Sequence, residues 1–184
     1  MLFRSIDGEG QRRTWTVYKD NKIVEEGFSK IHGSIGNYMS TVADRLGVTA
    51  NHSVDLAGKV MGIQSYGNIN ETYAKELLQY DIRKINEVFS YKNWIPHSKG
   101  YDNKDWIRTV HDRVGNIILE FFKQYAKPDD VIFYSGGVAQ NVIWNTLLKQ
   151  HFKNLHIMPH SSDEGLSIGV MERMRTRFNL PKMK

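Results

Sequence analysis

The sequence contains no cysteine, so disulfides and thiolate metal sites are excluded. No window approaches the ~18 consecutive apolar residues of a membrane span. The opening MLFRSIDGEGQRR lacks the apolar run of a signal peptide. A cytoplasmic location with no membrane partner is therefore expected. The seven histidines, His32, His52, His97, His111, His151, His156 and His160, show no metal-ligand spacing. A Ser/His/Asp triad, an HExxH helix and an EF-hand loop are all absent, as are internal repeats and low-complexity tracts.

What remains is an ordinary globular composition of 184 residues, 40% apolar and 24% charged, enough for one domain with a real core. The net charge of +5 is partly terminal, since Arg173, Arg175, Arg177, Lys182 and Lys184 crowd the end. No aromatic-interleaved basic stripe accompanies them, so a nucleic-acid partner is not expected.

Residues 2–6 form a short strand ending at Asp7-Gly8-Glu9-Gly10. Residues 14–18 and 23–28 form a hairpin around Lys19–Lys22. A helix follows from about Ile35 to Leu46, stopped by Gly47. Residues 50–70, punctuated by Gly58, Gly62 and Gly67, read as loop. Glu71–Val88 carries helical spacing, and 89–102 (FSYKNWIPHSKGYD) reads as part of an insertion over 70–103. Asp105–Tyr125 is a long amphipathic helix. Next come a buried strand at 131–134, a Ser135-Gly136-Gly137 turn, a helix over 138–150, a strand at 155–158 and a helix over 164–178. Strand, glycine turn, helix, strand implies a parallel pair.

Four segments could carry chemistry. In Ser135-Gly136-Gly137-Val138-Ala139-Gln140-Asn141, glycines let backbone approach a ligand, and a helix N-terminus offers N–H groups to an anion. A plain βα turn uses the same residues. Asp7-Gly8-Glu9-Gly10 could hold a hard cation or make a simple turn. Ser162 or Asp163 suits a helix N-cap, with His160 nearby. Lys59, in AGKVMGIQSYG, could meet a phosphate, although the glycine-to-lysine spacing is not that of a P-loop.

Taken in order, these segments resemble the motifs of one family. IDGEG resembles a DGxG phosphate motif, and HGSIGNYMSTVADRLG an HSLGxxYxxxTxxLG segment. AGKVMGIQSYG is similar to EGKVMGLAPYG, SGGVAQNVIWNTLL to SGGVALNxxxNxxL, and PHSSDEGLSIGV to PxxxDxGxxxGA. The family is the carbamoyltransferases of the nodulation-factor and antibiotic-tailoring type. The resemblance implies an α/β fold, a single lobe of an actin-like ATPase (sugar kinase/actin, ribonuclease H-like) with a mixed sheet and flanking helices. It implies that residues 1–184 are one domain, the C-terminal lobe, with the N-terminal lobe to be supplied in cis or in trans or replaced by self-association.

It also implies transfer of a carbamoyl group from carbamoyl-adenylate to the hydroxyl of a small-molecule acceptor. The cofactors would be an adenine nucleotide (ATP or carbamoyl-adenylate) and a divalent metal, iron or Mg²⁺, in the complete enzyme. Asp7 and Asp163 match the family's metal-ligating aspartates; its ligating His pair lies in the other lobe. Gly136, Gly137 and Asn141 match the nucleotide turn, and Gly8, Gly10 and Lys59 further nucleotide contacts. Ala57 stands where the family has Glu, and Ile63-Gln64-Ser65 where it has Leu-Ala-Pro. A lobe inactive alone is expected, and a non-catalytic nucleotide-binding or assembly module remains the alternative.

Overall fold

The computed structural model describes residues 2–10, 12–20, 22–52, 54–89, 102–163 and 165–181. Strand β1 (Leu2–Gly10) lies at the centre of a five-stranded mixed sheet of order β3-β2-β1-β4-β5. On one side it pairs antiparallel with β2 (Arg13–Lys19), which pairs antiparallel with β3 (Lys22–Phe28). On the other it pairs parallel with β4 (Ile132–Ser135), which pairs parallel with β5 (Leu155–Ile157). The run Thr/Trp/Thr/Val/Tyr marks β2 through its β-branched and aromatic residues, and Thr14, Trp15, Thr16 and Val17 are all buried.

Helices α1 (Ser29–His32) and α2 (Ile35–Arg45) follow the hairpin. Ser34 caps α2 by accepting a hydrogen bond from the Asn37 N–H at 3.3 Å. The segment 50–70 is not a loop: it contains α3 (Val54–Ile63) and a 3₁₀ turn over Gln64–Tyr66. Leu56, Val60 and Ile63 recur at helical spacing and pack on the core, with Val60 fully buried. That burial outweighs the roughly 1 kcal/mol that each glycine, Gly58 and Gly62, costs a helix.

The single helix expected over 71–88 is broken into α4 (Glu71–Leu77), a 3₁₀ turn (Ile82–Lys84) and α5 (Ile85–Val88). Arg113 terminates α4. Its guanidinium donates to the carbonyls of Leu77 (2.9 Å), Leu78 (2.9 Å) and Tyr80 (2.7 Å), groups that a continuing helix would use itself. The aromatic stretch read as part of an insertion lies, over 90–101, outside the described residues.

The long helix α6 (Asn103–Lys123) is the main support of the core. Trp106, Ile107, Val110, Val114, Ile117, Ile118, Phe121 and Phe122 are buried along its apolar stripe. Helix α7 (Val142–His151) connects β4 to β5, and α8 (Gly165–Arg177) closes the chain. No residue of α8 is buried; Leu166 is 67% and Phe178, just beyond it, 59% exposed. Among the described residues, no helix is long and apolar enough to cross a membrane.

Ile118 is fully buried in this cluster. Ile118→Ala should therefore lower unfolding free energy by about 2–5 kcal/mol through lost burial and cavity formation. Leu166→Ala should change it by less than about 0.5 kcal/mol. Urea denaturation of both variants checks the contrast; equal losses would contradict this division into core and exposed helix.

Candidate functional site

The parallel arrangement of β1, β4 and β5 sends their carboxyl-terminal sides the same way, where α/β sheets gather ligand sites. A cleft of about 1030 Å³ opens there. One wall holds Asp7, the turn Gly137–Asn141 and Trp144; Ser162 and Asp163 belong to the segment after β5; the facing side is built from α2 and α3, including Asn37, Asp55 and Lys59.

The register Ser5↔Ser135 sets the following residues beside each other: Ile6 beside Gly136 and Asp7 beside Gly137. Gly136 has φ +94°, and a Cβ there would lie 2.1 Å from the Ile6 carbonyl oxygen. Its N–H donates to Ser161 O at 2.6 Å, tying the turn to the segment after β5. Gly136 thus stands behind the cleft and is not among its lining residues. Gly137 lines it, and its N–H donates to Asp7 Oδ1 at 3.2 Å. The Asp7 carbonyl accepts from Ser34 Oγ at 3.3 Å, joining β1 to the start of α2. Gly8 and Gly10 lie in the last part of β1, with Gly10 opposite Arg13.

Residues 138–150 are not one helix. A 3₁₀ turn spans Gly137–Gln140, and α7 starts only after Asn141, whose backbone is extended. Asn141 Oδ1 accepts from the N–H groups of Ile143 (3.2 Å) and Trp144 (3.1 Å), an N-cap. Its Nδ2 lies 2.9 Å from His111 Nε2. Asn141 therefore shapes the cleft wall with one end of its amide and contacts α6 with the other.

Lys59 is exposed on α3 and lines the cleft, and its Nζ donates to Thr49 O. Asp163 is exposed, and its carbonyl accepts from Leu166 N–H at 3.0 Å in the first turn of α8. Asp7 and Asp163 line the same cleft, separated in sequence by most of the chain.

Sequence reasoning overlooked His111, Trp144 and Ser34. The spacing Ser34-x-x-Asn37 was a usable cap signal. His111 carried none, because its role depends on the packing of α6 against α7. It is 1% exposed, stacks on Trp144 with ring centroids 4.6 Å apart, and its carbonyl accepts from Trp144 Nε1 at 2.9 Å. Burial, and secondarily the Arg108 charge, push its pKa down to about 4.

Residues 3–171 match the family model for the carbamoyltransferase N-terminus. The chain belongs to that family. The solved structures similar to this carbamoyltransferase-family chain include a dehydratase component and a dehydratase activator. Component A of the (R)-2-hydroxyglutaryl-CoA dehydratase of Acidaminococcus fermentans is 14% identical with a TM-score of 0.52, over 89% of this chain and 57% of that one. The activator of the 2-hydroxyisocaproyl-CoA dehydratase from Clostridium difficile, with bound ADPNP, is 14% identical with a TM-score of 0.56, over 100% of this chain and 64% of that one. The likeness shows the fold, an actin-like α/β lobe, and the carbamoyltransferase-family chain spans about three fifths of those structures' length. No curated protein matches the sequence significantly.

Two outcomes follow from this geometry. Gly136→Ala should destabilise the fold by at least about 2 kcal/mol, through a left-handed backbone and a clash with Ile6; an unchanged denaturation midpoint would refute the close approach. The unfolded chain binds a proton at His111 near pH 6.5, the folded chain only near pH 4. Between these values the unfolded state holds more protons, so this group's contribution to stability falls as pH drops and is constant above the window. Wild type should lose stability faster than His111→Gln across it, by up to about 1.4 kcal/mol per pH unit. Parallel pH profiles would contradict the buried neutral imidazole.

Proposed function

We propose that this chain is the C-terminal lobe of the actin-like domain of a carbamoyltransferase and that its cleft binds the adenine nucleotide from which the carbamoyl group is transferred. The observation carrying this reading is the meeting of Asp7, Gly137, Asn141, Lys59 and Asp163 around one cleft, together with the family match. ADPNP bound to the Clostridium difficile activator of similar fold supports the nucleotide assignment.

In the reaction, the acceptor hydroxyl oxygen bonds to the carbamoyl carbon, the bond from that carbon to the phosphate oxygen breaks, and AMP leaves. The hydroxyl proton passes to the departing phosphate or to water as the carbamate ester bond forms. Gly137, without a side chain, lets the nucleotide approach the Asp7 wall, and Lys59 places a positive charge on the facing side. Residues 1–184 act as one domain, and the N-terminal lobe completes the cleft in cis or in trans.

The oxygen donors of Asp7 and Asp163 suit a hard divalent cation. Among the described residues, no group of three His, Cys, Asp or Glu side chains gathers to hold one. The two aspartates would thus supply part of the coordination shell, and phosphate oxygens, water or the other lobe the rest. When bound, the cation supplies charge stabilisation to the transferring group. A shell this incomplete is the reason that the lobe alone is expected to be inactive.

Calorimetric titration with ADPNP should show weak binding that Gly137→Val removes, since a side chain there points at Asp7 Oδ1, 2.9 Å from its Cβ. Incubation with carbamoyl phosphate, ATP, a divalent metal and hydroxylated acceptors should give no carbamoylated product from this chain alone. Equal ADPNP affinity in two folded proteins would sink the nucleotide site. Carbamoylated product from the chain alone would sink its dependence on a second lobe.

A further inference from the structure

The cleft wall Gly137–Asn141 is anchored from beneath by a residue that touches no cleft space itself. Asn141 Oδ1 accepts from two N–H groups at the start of α7, and this fixes which way its carboxamide points. Reversing the amide would set NH₂ against those N–H groups and leave the helix uncapped. With Oδ1 committed, Nδ2 must be the atom facing His111 Nε2 at 2.9 Å. Nδ2 only donates, so Nε2 only accepts, and the imidazole proton resides on Nδ1. The cap thus dictates the amide orientation, and the amide dictates the tautomer.

His111 is held from a second direction. Trp144, another cleft-lining residue, stacks on the ring at 4.6 Å and donates from Nε1 to the His111 carbonyl at 2.9 Å. One buried residue of α6 therefore contacts two residues of the wall, one on each side of the start of α7.

We propose that His111 is a positioning residue: through Nε2 it holds the Nδ2 end of the Asn141 amide in the direction the cap sets, and so steadies the turn 137–141 against which a nucleotide binds. Its effect on affinity rests on the nucleotide reading given above; its effect on the Asn141 amide does not. A merely space-filling imidazole would be replaced by any side chain of similar bulk. A positioning acceptor requires an acceptor: Gln offers Oε1 to Asn141 Nδ2, and Leu offers nothing.

The test uses the full chain labelled with ¹⁵N, without ligand. Two-bond ¹H–¹⁵N correlations should show His111 protonated at Nδ1 and bare at Nε2. The Asn141 side-chain amide protons should be slowed in exchange in wild type and in His111→Gln, and released in His111→Leu. ADPNP titration should then show at least a tenfold loss of affinity in His111→Leu, against less than threefold in His111→Gln. A proton on Nε2, or an Asn141 amide indifferent to His111→Leu, overturns the proposal. So does a loss of ADPNP affinity in His111→Gln equal to that in His111→Leu. If wild type binds no ADPNP, the nucleotide reading fails, and the tautomer and amide exchange still decide whether His111 positions the turn. If His111→Leu does not fold, the wild-type tautomer and the His111→Gln exchange rates decide it.

Discussion

The approach of Gly136 to the Ile6 carbonyl is the constraint on which the site depends. A parallel pair of strands runs in step from Leu2↔Ile132 to Ser5↔Ser135, and the next residue of β4's side must turn sharply to free the chain for α7. It does so with φ +94° and with its Cα pressed against β1, where a Cβ would have 2.1 Å to the carbonyl oxygen. Because the turn is that tight, Gly137 arrives within hydrogen-bonding distance of Asp7, 130 positions away in sequence. Its neighbour's N–H meanwhile reaches Ser161. Three segments that bear the family motifs are thus joined through two adjacent backbone amides. A larger side chain at position 136 would push β4 from β1 and separate all three.

The charges around the cleft also restrict what can enter it. Among the described residues, Asp7, Asp55 and Asp163 line it, and Lys59 is the one cation. A polyphosphate brought to about 4 Å from an unscreened carboxylate meets a repulsion of roughly 1–4 kcal/mol per pair, depending on the effective dielectric. One lysine does not reverse that sign for three carboxylates. Under the nucleotide reading, a divalent cation accompanying the phosphates would offset that repulsion. On that reading, carboxylates unsuited to a bare anion would suit an anion that carries its metal.

The outline of the fold was legible wherever local signals were strong. The β2–β3 hairpin followed from alternation, α6 from its apolar stripe, and the β4–α7–β5 unit from a glycine turn between apolar runs. The motif residues Asp7, Gly137, Asn141, Lys59 and Asp163 could be named from the sequence because their types and order resemble a family pattern. Errors arose where tertiary contacts overruled local preference. Two glycines made α3 look like loop, yet burial of Leu56, Val60 and Ile63 holds it helical. Residues 71–88 looked like one helix because the carbonyl-binding guanidinium that stops α4 comes from Arg113, more than thirty residues later. His111 looked like one of seven scattered histidines; its neighbours are close only in space.

A site that stabilises developing charge must hold its dipoles in place before the ligand arrives, because reorienting them during the reaction costs free energy. The wall made by residues 137–141 meets that requirement by mutual restriction. The 3₁₀ turn cannot slide toward β1, since Gly136 already touches Ile6. It cannot unwind toward α7, since Asn141 is bound to Ile143 and Trp144 ahead of it. The Asn141 amide cannot rotate without facing His111 with the wrong group. Each restraint is an ordinary hydrogen bond or contact worth on the order of 1 kcal/mol, too little to fix a turn singly. They act on Gly136 and Asn141, the two ends of one short segment, however, so moving either end strains the other. Rigidity at this wall is therefore a property of the connected set.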